Sequence, residues 1–255
     1  MKIIPCGLIA LMSAFEINAQ DITTGLVAEY KFDGDLSDSS GYDLNLSSSG
    51  GEYNFVSDHL GNAVSAVQLV TAASNGTFFV GTGPTLANRS STVSFWMRKD
   101  YVGNGTNGSW VFGLGHPAGV GGSAGQDMHV AVDYGSSVRY AFFYNDLDIS
   151  TPLPDYAWFN ITATFDEQTF ERKIFINGLL AGSDIAAFGF SGSNALKVGY
   201  QGTTLDDLVF YDRALSSDDV LALVQIPEAN DWASICGLAV VGAAQLKKRR
   251  RSESK

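Results

Sequence analysis

The sequence predicts an all-β fold, two antiparallel sheets packed as a sandwich, with one short helix at the C-terminal end. Three observations carry that expectation. Apolar and polar residues alternate with period two along short runs. Glycine is abundant, 28 in 255 residues, and only 17% of residues are charged, which suits many short strands joined by turns. Within the domain no helix longer than Ser216 to Val224 is suggested, and that stretch opens on a helix-start pattern ahead of apolar residues.

The first strand is read at Gly25 to Asp33, GLVAEYKFD. Leu26, Ala28, Tyr30 and Phe32 share one face, while Val27, Glu29 and Lys31 share the other. An Asp-, Ser- and Gly-rich loop follows. Further strands are expected at Ala63 to Val70, Gly76 to Val80, and along STVSFWMR, where Val93, Phe95 and Met97 alternate with Ser94, Trp96 and Arg98. Trp110 to Leu114, Met128 to Val132 and Val138 to Tyr144 continue the pattern around a glycine-rich loop between Gly113 and Gly125. Trp158 to Phe165 and Arg172 to Ile176 read as a hairpin with Asp166 to Thr169 at its tip. Asn177-Gly178 is a type I′ turn signal, because both central residues of such a turn need positive φ. Leu196 to Val198 leads into a closing strand that ends at Tyr211. Ser216 with Asp219 three residues later is an acidic capping box ahead of Val220, Leu221, Leu223 and Val224.

The closing stretch, LDDLVFYDRALSSDDVLALV, resembles the terminal motif of laminin-G-like domains, the concanavalin A-like jelly rolls, through Asp206, Asp207, Arg213, Ala214, Leu215 and Ser216. The opening is similar too, with Tyr30, Phe32 and Asp33, then Asp38, Ser40 and Gly41; so is the Phe175-x-Asn177-Gly178 hairpin. The resemblance covers about residues 25 to 225 and implies a jelly-roll sandwich whose first and last strands are neighbours. It also implies a structural Ca²⁺ where those strands meet, with Asp33, Asp38, Asp206 and Asp207 as oxygen ligands.

The two ends read as addresses. Residues 1–19 form a secretory signal, with Lys2, an apolar run from Ile3 to Phe15 and a small-residue cleavage site at Ala19. Residues 227–255 hold Pro227-Glu228-Ala229, an apolar stretch from Trp232 to Leu246 and the basic cluster Lys247 to Arg251. This order is similar to the PEP-CTERM sorting signal of exosortase-bearing Gram-negative bacteria. It implies a protein secreted or sorted to the cell envelope, with a tail transiently in the inner membrane and an exosortase-type processing partner. The domain between the two ends spans residues 20–226.

Formal net charge is −11, and the middle is more acidic still. From Gln20 to Ile226 there are nine lysines and arginines against 23 aspartates and glutamates, a balance of −14. Such a surface repels nucleic acid and anionic membranes. The only cysteines, Cys6 and Cys236, lie in the terminal segments, so burial alone must hold the domain.

Catalytic patterns are weak. Gly121-Gly122-Ser123-Ala124-Gly125 matches G-x-S-x-G without the strand and helix that a nucleophile elbow needs. The Glu-x-Asp-x-(x)-Glu strand of glucanases on this scaffold is absent. Asp166, Glu167 and Glu171 fall at a hairpin tip, and His59, His116 and His129 show no metal spacing. Among the aromatics, Tyr101, Trp110, Tyr134, Tyr140, Tyr144 and Tyr156 are candidates for stacking on sugar. The ligand residues expected are Asn104, Asn107 and Trp110, and the partner a polysaccharide or extracellular-matrix glycan. A glycoside hydrolase on the same scaffold and a purely structural adhesion module are the alternatives.

Overall fold

In chain order the strands are β1 (Leu26–Tyr30), β2 (Ser47–Ser48), β3 (Glu52–Val56), β4 (Ala66–Thr71), β5 (Phe79–Thr82), β6 (Ser91–Lys99), β7 (Ser109–Leu114) and β8 (Met128–Val132). They continue as β9 (Ser137–Ala141), β10 (Asp146–Ser150), β11 (Trp158–Phe165), β12 (Glu171–Ile176), β13 (Leu179–Ile185), β14 (Ala195–Val198) and β15 (Thr203–Tyr211), and the helix α1 is Ser217–Gln225. The computed structural model describes residues 22–71, 78–100, 109–116, 122–132 and 137–225. The expected signal segment, the sorting tail, Asn104, Asn107, Tyr101 and Tyr134 lie outside the described residues. Among the described residues, no helix is long and apolar enough to cross a membrane.

The strands form two antiparallel sheets. The first runs β13-β12-β11-β6-β15-β4-β3, with β1 also paired to β15. The second runs β10-β9-β8-β7-β14-β5-β2. The first and last strands are therefore neighbours, as expected. Between the sheets lies one apolar core that includes Ala28, Tyr30 and Phe32 from the start of the chain, Val93, Phe95 and Met97 from β6, and Phe112, Val130 and Tyr140 from the second sheet. Period-two alternation places these side chains on one face of each strand.

The outward face of the first sheet is partly covered as well. Val209, Tyr211 and Phe175 pack against Leu215 and Val220, so α1 closes a second, smaller apolar cluster there. Arg172, buried on β12, ties the two sheets at one edge. Its guanidinium donates to both carboxylate oxygens of Asp184 on β13, at 2.9 and 2.6 Å, and to the Asn145 carbonyl beside β10.

Several bounds differ from those expected, for local reasons. The first strand stops at Tyr30 because Phe32 takes φ 57, although its ring stays in the core. The strand expected from Ala63 starts at Ala66, because Val64 has φ 65 and belongs to a turn. The one expected to reach Tyr144 ends at Ala141, because Phe143 and Tyr144, at φ 42 and 62, turn the chain into β10. The strand expected at 76–80 is seen as Phe79–Thr82. β2, β3 and β10 were not expected at all; each is an edge strand of its sheet. β3 and β10 do alternate, turning Tyr53 and Phe55, and Leu147 and Ile149, to the core, but each carries only two such residues among polar ones.

Candidate functional site

Two places in the sandwich bring together side chains with chemistry beyond the core, one on each sheet. On the second sheet, Val111, Phe112 and Leu114 of β7 are buried in the core. A register shift between Trp110 and Phe112 interrupts the β7–β8 ladder. Trp110 instead stays 41% exposed. Its indole sits edge-on to the His129 imidazole, with centroids 6.2 Å apart. His129 is buried, and its Nδ1 lies 3.3 Å from the Asp127 carboxylate, itself 0% exposed. A buried histidine–aspartate pair thus fixes the edge of an exposed indole and leaves ring surface open to a ligand. Of the other aromatics, Tyr140 is core, while Tyr144 and Tyr156 are exposed.

On the outward face of the first sheet, β6 turns Trp96 and Arg98 away from the core. Asp206 of β15 is the register partner of Trp96. The β15–β6 ladder then breaks between Asp206 and Val209, and Asp207 takes φ 46. That bulge lets two consecutive aspartates converge where a regular strand would send them to opposite faces. The loop before β4 reaches over them. Its Asp58 carboxylate accepts the Leu60 and Asn62 amides at 2.8 and 2.7 Å, a compact turn that presents His59. His59 Nδ1 lies 2.7 Å from Asp206 Oδ2. Its imidazole stacks on the Trp96 indole, with centroids 4.2 Å apart and planes 10° from parallel.

One ligand atom from each of His59, Asp206 and Asp207 lies within 4.8 Å of the others. Asp206 is 0% exposed, and among the described residues its Oδ1 has no hydrogen-bond partner. Burial, then the charge of Asp58, push the Asp206 carboxyl up to about 8, against the backbone amides of His59 and Asp207. Burial and the charge of Asp206 push Asp207 up to about 7.

The four aspartates expected to hold calcium do not come together as one oxygen cage. Asp206 and Asp207 join His59, a residue that sequence spacing passed over. Asp33 is exposed; its charge acts on Asp206, but it gives no ligand atom to the group. Asp38 organises its own loop: its carboxylate accepts the amides of Glu29, Ser40 and Leu44 at 2.9, 2.9 and 3.0 Å. Burial alone would raise the Asp38 carboxyl, but the bonds from Ser40, Glu29 and Leu44 outweigh it and hold it below its ordinary value. The only sequence signal near His59 is the Asp58-to-Asn62 spacing, which marks a turn and says nothing of β15.

Comparison with known proteins bears on the fold. A family model, Laminin_G_3, described as the concanavalin A-like lectin/glucanases superfamily, matches residues 72–221. No curated protein matches the chain. Among solved structures, the binding domain of Paraclostridial mosquitocidal protein 1 is similar, at 18% identity and TM-score 0.59, over 80% of this chain and 52% of that one. A botulinum neurotoxin type C structure, described by that toxin's dependence on two ganglioside molecules for cell entry, aligns at 16% identity and TM-score 0.63, over 80% and 51%. The binding domain of botulinum neurotoxin DC in complex with SialylT aligns at 16% and 0.61, over 80% and 52%. The chain spans about half the length of each of these structures.

Proposed function

The chain belongs to the concanavalin A-like lectin/glucanases superfamily, and on that premise we propose that it is a non-catalytic carbohydrate-binding module whose ligand lies on the Trp110 face of the second sheet. The observation that carries this reading is the half-exposed indole held edge-on by the buried His129–Asp127 pair. A fixed ring gives the C–H face of a sugar an apolar platform at little entropic cost, while adjacent polar groups take its hydroxyls. Asn104 and Asn107, in the segment before β7, are the polar partners in this proposal. Two structures of like fold supply context: the type C toxin's cell entry depends on ganglioside, and the DC binding domain is bound to SialylT.

The hydrolase alternative needs two carboxyls flanking an accessible bond. The converging pair with raised pKa values, Asp206 and Asp207, has Asp206 at 0% exposure behind His59, out of reach of a polysaccharide. The same proposal includes export: residues 1–19 direct secretion, and the PEP-CTERM-like tail holds the protein in the inner membrane until an exosortase-type protease releases it.

Retention on a polysaccharide gel tests the reading. Trp110→Ala is expected to elute with the void volume while its circular dichroism and melting midpoint stay close to those of the parent. Unchanged retention, or loss of the fold, would remove Trp110 from the ligand site. Release of reducing sugar from any retained polysaccharide would overturn the non-catalytic part.

A further inference from the structure

We propose that His59, Asp206 and Asp207 form a site for one divalent ion of the first-row transition series, zinc-like in preference. The inference does not depend on the glycan reading, which concerns the other sheet. Three features of the structure carry it. The donors come from two elements far apart in sequence, yet one atom from each lies within 4.8 Å of the others. Around a tetrahedral ion bound at about 2.0–2.2 Å, ligand atoms lie about 3.3–3.6 Å apart, so rotation of the side chains has to close the group by at most about 1.2–1.5 Å. The second feature is the orphaned oxygen. Asp206 is fully buried, and among the described residues its Oδ1 has no partner, whereas buried polar atoms are almost always bonded. A cation in the cluster would satisfy it. The third is the backbone: the break in the ladder and the positive φ of Asp207 keep adjacent carboxylates at one point at a cost in regular pairing.

The donor set chooses the ion. Calcium takes six to eight oxygens. Here an imidazole nitrogen joins two carboxylates, and imidazole suits zinc and its neighbours. Three protein ligands with a fourth position left for water is a common zinc arrangement. The site is walled on one side by Trp96, parallel to the His59 ring at 4.2 Å, which holds the imidazole plane. Asp58 locks the loop that presents His59 through its bonds to the Leu60 and Asn62 amides, in the manner of an outer shell that orients a metal ligand. Binding would pin this loop to β15, the strand that pairs with β1, β4 and β6.

The test uses the untagged full chain, stripped with chelator and titrated separately with Zn²⁺, Mn²⁺ and Ca²⁺, with bound metal measured by elemental analysis and stability by melting. Zn²⁺ is expected to bind at one equivalent and raise the midpoint by about 5–11 °C at a hundredfold excess over its dissociation constant. His59→Gln and Asp207→Asn are each expected to weaken Zn²⁺ binding at least tenfold. Asp207→Asn leaves the His59–Asp206 bond in place, so it reports on the site even if His59→Gln fails to fold. Absence of any metal-dependent shift would show a plain buried histidine–aspartate pair and overturn the proposal. So would full Zn²⁺ binding by Asp207→Asn, or a Ca²⁺-dependent shift that survives His59→Gln.

Discussion

Ser216 and Asp219 cap one another across the first turn of α1. The Asp219 amide donates to the Ser216 hydroxyl at 3.1 Å, and the Ser216 amide donates to the Asp219 carboxylate at 3.1 Å. Arg213 donates to the same carboxylate at 3.0 Å. Burial alone would raise the Asp219 carboxyl, but the bonds from Arg213 and Ser216 outweigh it and hold it below its ordinary value of 3.8. A depressed folded value means that this carboxylate stabilises the fold above its unfolded pKa, and the gain is lost as the pH falls through the folded value. Asp219→Ala is expected to cost about 1–2 kcal/mol at neutral pH. Chemical denaturation at pH 7 and pH 3 should show the parent–variant gap narrowing in acid.

Arg172 is expected to be the most sensitive polar position in the sandwich. Its side chain is 1% exposed, and it donates across the edge of both sheets to Asp184 and to the Asn145 carbonyl. Arg172→Ala strips the Asp184 carboxylate of both guanidinium bonds, leaves the Asn145 carbonyl with the Phe142 amide, and empties a large buried volume, so a loss of about 3 kcal/mol is expected. For a domain of this size that lowers the midpoint by about 6–12 °C. Arg172→Met restores volume but not the donors and should fall between. Melting of the three proteins decides the order.

The β12–β13 turn should distinguish its two residues. Asn177 and Gly178 have φ 50 and 79, the left-handed pair that the Asn-Gly signal requires. A Cβ on Gly178 would stand 2.8 Å from Val224 Cγ2 of α1, so Gly178→Ala suffers both strain and a clash, about 1–3 kcal/mol. Asn177→Gly keeps the conformation but removes the oxygen that accepts the Asn160 amide at 2.8 Å, about 1 kcal/mol. Urea midpoints with unchanged slopes would confirm that order, and equal losses would contradict it.

The proposed export makes a prediction about mass. If it were helical, the stretch from Trp232 to Leu246 would reach only about 22 Å, short of the roughly 30 Å hydrocarbon layer, which favours a transient hold over a permanent anchor. Intact mass of protein recovered from the native cell surface is expected to correspond to a chain ending near Pro227-Glu228, without Cys236 and Lys247 to Arg251. A species that ends at Lys255 and needs detergent for extraction would contradict the cleavage.

What the sequence determined by itself is what short-range chemistry specifies. Alternation placed Ala28, Tyr30 and Phe32 in the core and put Val93, Phe95 and Met97 opposite Trp96 and Arg98. The Asn177-Gly178 turn and the Ser216–Asp219 cap were legible because each needs particular side chains within a few residues. The strands β3 and β10 were not legible, because each is an edge strand with only two core-facing residues, Tyr53 and Phe55 or Leu147 and Ile149, and gains the rest of its order from one neighbour. The ring surface left open at Trp110 depends on a partner across the sheet, His129. His59 and Asp206 stand 147 residues apart in the chain. Only the closing of β15 against β6, the bulge at Asp207 and the fold of the loop before β4 bring them within a hydrogen bond, because sheet register acts at long range and leaves no local pattern to read.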